Sequence, residues 1–84
     1  MKKNRYFFTF GSSDKFPFKN GYLIVKAENI RQAVSLFRAY FPDRTDGVLN
    51  CSDYYTETYW ENDVKKYYKD SKPKAIITSD IHEF

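Results

Sequence analysis

The clearest pattern along the chain is a helical one. Apolar residues fall at Ile30, Ala33, Val34, Phe37 and Phe41, with Tyr40 beside them, which is the i, i+3, i+4, i+7 rhythm of a single helix face. Arg31, Gln32, Ser35 and Arg38 take the opposite side. Asn29 is placed to cap the first turn, because its side-chain oxygen accepts from an unbonded backbone N–H, and Gln32 stands where a capping box has Glu or Gln. Pro42 ends the helix by forcing the residue before it out of the α region. Just upstream the period drops to two. At residues 22–27, Leu23, Val25 and Ala27 alternate with Tyr22, Ile24 and Lys26, which predicts a strand. Lys26 belongs in water, so Tyr22 and Ile24 are expected to face outward with it, leaving Leu23 and Val25 against the helix.

Residues 5–10 predict a first strand, with Tyr6, Phe8 and Phe10 inward and Phe7 outward beside Arg5 and Thr9. Residues 11–20 read as a connection in which Phe16 and Phe18 pin the loop to the core, and Asn20-Gly21 is a turn signal. Beyond the helix comes a charged turn at 42–47, then an irregular strand at 48–54 interrupted by Asn50, Ser52 and Asp53. A second helix is expected at about 57–69, capped by Thr58 with Glu61 or alternatively by Thr56. Trp60, Val64 and Tyr67 form its inner face and Tyr68 flanks it. Residues 71–73 break that helix, 74–78 form a last strand on Ala75, Ile76 and Ile77, and 1–4 and 79–84 fray. The expected architecture is a single α+β domain of order ββαβαβ. Its short, mostly antiparallel sheet starts with a hairpin and carries both helices on one face.

Composition sharpens this picture. Eighty-four residues make one domain, and eight Phe with eight Tyr supply the apolar area that so short a chain needs in order to fold. Cys51 is alone, so the chain has no internal disulfide, and no apolar run is long enough for a signal peptide or a membrane span. A reducing cytoplasm fits that composition. The net charge of +3 is striped: residues 1–26 carry six basic groups and one acidic, residues 43–63 six acidic and one basic, residues 64–74 five basic and one acidic. That balance is neither the uniform acidity of a nucleic-acid mimic nor the strong basicity of a dedicated nucleic-acid binder.

The chemistry-bearing residues are sparse. Cys51 and His82 are the only Cys and His, and neither sits in a nucleophile or metal-ligand spacing. Asp43, Asp46, Asp53, Glu57, Glu61 and Asp63 do not match a Ca²⁺ loop and read as a solvated acidic face. Gly11, Gly21 and Gly47 are isolated at turns, so there is no phosphate-binding loop. The expectation is therefore a non-enzyme without cofactor or metal, and what remains is binding. One candidate surface is the charged aromatic segment with Tyr54, Tyr55, Tyr59, Lys65, Lys66, Tyr68 and Lys69, where tyrosine offers contact area at low entropy cost to a protein partner. The alternative is an open sheet face on which Phe7 and Tyr22 stack bases while Arg5 and Lys26 hold phosphates. A third reading makes that open face the interface of a homodimer.

Phe8-Thr9-Phe10-Gly11, Gly21-Tyr22 with Val25 and Ala27, Ala33, Phe37, Phe41-Pro42, Asn50-Cys51-Ser52, Tyr55, Trp60, Tyr68 and Pro73 together resemble a set of small proteins encoded by phages and integrative elements of Gram-positive bacteria. The resemblance spans most of the chain and rests on core and turn residues. It implies a small accessory protein acting in the bacterial host cell. Some such proteins inhibit host defence, as anti-CRISPR proteins do, usually by binding a protein or a protein–nucleic acid complex. It carries no catalytic or binding residue onto this sequence.

Overall fold

A computed structural model describes residues 3–45 and 47–78. Four strands, β1 (Asn4–Thr9), β2 (Tyr22–Ala27), β3 (Asp53–Tyr55) and β4 (Ile76–Thr78), form one sheet in the order β3-β1-β2-β4. β1 pairs antiparallel with β2 and with β3, while β2 and β4 are parallel. The class is α+β, and the opening hairpin is present in the register Tyr6↔Val25, Phe8↔Leu23. The helix α1 (Ile30–Tyr40) starts where Asn29 puts it: the Gln32 backbone N–H donates to Asn29 Oδ1 at 2.8 Å. Gln32 Oε1 accepts from the Glu28 backbone N–H at 2.8 Å, so the side chain reaches one residue further back than a capping box requires.

The long loop after β1 is tied at its neck. The Asn20 N–H donates to the Gly11 carbonyl, and the Phe10 N–H donates to the Gly21 carbonyl at 3.2 Å. Gly11 sits at φ +62, a left-handed conformation that a side chain resists. Phe18 meets Phe10 edge-on at 5.2 Å and Phe41 at 5.8 Å, and Phe16 also packs on the core, so this loop is pinned as its sequence predicts.

The placement of the helices corrects the sequence expectation. α1 covers one face, where Tyr6, Phe8, Phe10, Leu23, Val25 and Ala27 meet Ala33, Phe37 and Ile77. The second helical segment lies on the opposite face, over Phe7, Tyr22 and Ile24, which it covers with Trp60 and Val64. The two helical elements are therefore on opposite faces rather than one. Connectivity explains why. β2 and β3 are both antiparallel to β1 and hence parallel to each other. The β2-to-β3 crossover moves along the sheet in one direction, and the β3-to-β4 crossover returns in the other. Crossovers between parallel strands keep one hand, so reversing direction requires changing face.

The central strands record this double burial. Phe7 and Phe8 are neighbours on opposite faces, yet both are essentially inaccessible, and Tyr22, Leu23, Ile24 and Val25 are buried in succession. A strand covered on both sides loses its polar alternation. The unbroken aromatic and aliphatic runs of β1 and β2 were the sequence signal for this cover. Strand ends also shift. β1 starts and stops one residue early, and β3 and β4 are only three residues each, because their flanks 48–52 and 74–75 do not pair as strands. Of the frayed ends anticipated at 1–4 and 79–84, residues 1–2 and 79–84, His82 among them, lie outside the described residues, as does Asp46; Asn4 belongs to β1, contrary to that expectation.

Candidate interaction surface

The second helical segment is built in three parts: α2 (Glu57–Tyr59), a π turn (Trp60–Val64) and a 3₁₀ turn (Lys65–Tyr68). Its cap is Thr56, whose Oγ1 accepts from the Tyr59 N–H at 3.3 Å; Thr58 is not the cap. Glu61, expected to complete a capping box, instead pairs with cations. The Arg5 guanidinium on β1 donates to Glu57 Oε2 at 2.8 Å and to Glu61 Oε2 at 3.1 Å, and Lys65 Nζ reaches Glu61 Oε1 at 3.2 Å. The Arg5 backbone N–H also donates to Glu57 Oε1 at 3.3 Å. The hydrogen bond that Arg5 donates to Glu57 raises the Arg5 pKa above its ordinary value. These bonds staple the start of the segment to the sheet.

Aromatic stacking holds the rest. Trp60 lies parallel to Phe7 at 4.2 Å, stacks on Tyr68 at 5.2 Å and contacts Tyr22 at 4.8 Å. A π turn is wider than an α turn and the following 3₁₀ turn is tighter, so the inward positions depart from an ideal helix. Trp60, Val64 and Tyr68 pack inward, whereas Tyr67, expected on the inner face, is 75% exposed.

This geometry sorts the candidate residues. Tyr55, Tyr59, Lys66 and Tyr68 come together with Asp63, Val64 and Tyr67 along one open groove beside the edge strand β3. Tyr55 and Tyr59 are in ring contact at 5.4 Å, and Tyr59 is 54% exposed. Lys66 Nζ stands over the Tyr67 ring at 5.3 Å from its centre. Partial burial, then the neighbouring Asp53 carboxylate, push the Tyr55 phenol pKa up. Tyr54 does not join the groove. It alternates to the other face, where its ring meets Phe8 at 5.6 Å, and it lines a separate depression with Val34 and Arg38. Lys65 is engaged with Glu61, and Lys69 follows the segment's last turn in an exposed position. The sequence places Asp63 on a solvated acidic face and Tyr67 on the inner face of the helix; that both line this groove depends on the π turn, which side-chain periodicity does not encode.

The open-face alternative is overturned. Phe7 is 1% exposed and Tyr22 is buried, both beneath Trp60, so neither ring presents a face to a base. Arg5 is committed to Glu57 and Glu61, and of that set Lys26 alone is exposed. The same burial removes the face on which a sheet-to-sheet homodimer would have closed.

Cys51 is buried in the α1-side core, and loss of solvation, followed by the charge of Asp53, pushes its thiol pKa up to about 12. Such a thiol is protonated at neutral pH and is a poor nucleophile. Among the described residues no group of three His, Cys, Asp or Glu side chains is placed to hold a metal ion, and no helix is long and apolar enough to cross a membrane. Compared with known protein families, with curated proteins and with solved structures, the chain matches none, so the arrangement of its own residues carries the functional argument.

Proposed function

We propose that this chain is a non-catalytic interaction module that binds a protein, or a protein–nucleic acid complex, through the tyrosine groove on its second helical segment. The observation that carries the reading is the contrast between two sets of rings. Phe7, Phe8, Phe10, Phe37 and Trp60 are buried, while Tyr59 and Tyr67 stay more than half exposed beside Tyr55 and Tyr68 in one groove. Tyrosines in such a setting give rigid contact area with a polar tip, the composition of binding hot spots. The resemblance to small proteins of phages and integrative elements supports an accessory role in the bacterial cytoplasm, with a host defence effector as the class of target.

The test is a tagged pull-down from bacterial host lysate, with and without nuclease, run in parallel with a Tyr59→Ala/Tyr67→Ala double variant. A protein complex retained after nuclease treatment and lost by the double variant is the expected outcome. Equal capture by both chains, or capture of nucleic acid without any protein, would overturn the assignment.

A further inference from the structure

The groove's lining also points to the chemistry of what it receives. It is lined by Tyr55, Tyr59, Tyr67 and Tyr68, and its charged side chains are Asp63 and Lys66. Tyrosine faces carry the negative side of the ring quadrupole, which attracts cations, guanidinium groups most often. One cation already uses this property, since Lys66 Nζ stands over Tyr67 at 5.3 Å from its centre. The two charged groups are not equivalent. The Lys66 ammonium is occupied with that ring, whereas Asp63 makes no ion pair among the described residues. The other acidic groups of the segment, Glu57 and Glu61, are already bridged by Arg5 and Lys65. The groove thus brings tyrosines together with one carboxylate that no cation among the described residues bridges.

A guanidinium satisfies both needs at once, because its plane stacks on a ring while its N–H fork donates to a carboxylate. An ammonium is a compact point charge that can meet only one of them well. We infer that the groove receives an arginine side chain of a protein partner, stacked on the tyrosines and paired with Asp63. This inference rests on the interaction reading and names the partner chemistry of the same groove.

The test titrates the full chain, ¹⁵N-labelled, with a capped Gly-Arg-Gly peptide and with its citrulline counterpart, which keeps the planar shape without the charge. Saturable amide shifts at Tyr55, Tyr59, Asp63, Tyr67 and Tyr68 are expected with arginine. The citrulline peptide should bind at least about fivefold more weakly, and Asp63→Asn should cost a similar factor, the scale of an exposed ion pair supported by a ring contact. Asp63 is exposed, so that variant keeps the fold, which its amide spectrum verifies directly. Equal binding of the two peptides, absence of saturable shifts in the groove, or unchanged affinity in Asp63→Asn would overturn the arginine assignment. The two readings fail separately. Partner capture that depends on Tyr59 and Tyr67 but is indifferent to Asp63 would leave the interaction module standing and remove only the guanidinium.

Discussion

Phe7 and Tyr59 show how differently two aromatic residues of one chain contribute. Phe7 is enclosed between the sheet and Trp60, so removing its ring leaves a cavity and strips the stacking partner at 4.2 Å. Phe7→Ala should cost about 3–5 kcal/mol, which lowers the melting temperature of a domain this small by roughly 15 °C or more. Tyr59→Ala removes a ring that is mostly in water and should shift stability by no more than about 0.5 kcal/mol. Thermal unfolding followed by circular dichroism checks both, and a large loss in Tyr59→Ala would assign that ring to the core. Cys51 gives a pH-dependent counterpart. The unfolded thiol releases its proton near 9.0 and the folded one near 12, so between those values the unfolded chain binds fewer protons and stability falls as pH rises. Below that window both states hold the proton and the residue adds no pH dependence. Wild type should therefore lose more stability than Cys51→Ala between pH 9 and 12, read from urea midpoints at each pH. Matching slopes would mean that the thiol ionises freely in the folded chain.

At the scale of the element, the second helical segment is short of regular α geometry and depends on tertiary contacts. Only Glu57–Tyr59 is α-helical, and the π and 3₁₀ turns that follow have no side-chain cap. An isolated segment of this length would not hold its conformation in water. What holds it is the Arg5 staple at one end and the Trp60 stack in the middle. The staple is more than a third solvent-exposed, with Arg5 and Glu57 side chains at 39% and 40%, so screening reduces its worth to below about 1 kcal/mol. Glu57→Gln should accordingly lower global stability only slightly, while speeding amide hydrogen exchange across 57–68 and leaving α1 unchanged. Uniform acceleration over both helical elements would show that the staple supports the whole fold. α1 stands on firmer local ground. Its cap bond from Gln32 to Asn29 is 2.8 Å, and Asn29→Ala should cost about 1 kcal/mol in the same unfolding assay.

At the scale of the molecule, the sheet is a middle layer between two unequal covers, and this decides what the protein can touch. Trp60 is 3% exposed and seals the face that a nucleic-acid binder of this topology would need open. Its fluorescence should be blue-shifted and should not change on addition of single-stranded oligonucleotide at low salt. Quenching on addition would show that the segment lifts and exposes Phe7 and Tyr22. With that face closed, the tyrosine groove beside β3 remains an exposed aromatic surface for a partner.

Local signals in the chain determined much of this. The capped, amphipathic stretch at 29–42 specifies α1 almost to the residue, because cap chemistry, a 3.6 period and a terminal proline agree. β2 and the hairpin are specified likewise, and the buried Phe10 and Phe37 were legible from spacing alone. Tyr55, Tyr59, Lys66 and Tyr68 were legible as a charged aromatic cluster, since they lie within one short segment. Tertiary structure decided the rest. Strand order is set by non-local pairing, so the reversal of crossover direction, and with it the face each helix covers, leaves no mark in any local window. That one fact turned Phe7 and Tyr22 from prospective ligand contacts into core, and turned Arg5 from a phosphate binder into a staple. The π turn did the same on a smaller scale, sending Tyr68 inward and Tyr67 outward, because a wide turn followed by a tight 3₁₀ turn departs from the 3.6-residue period on which a helix face is read.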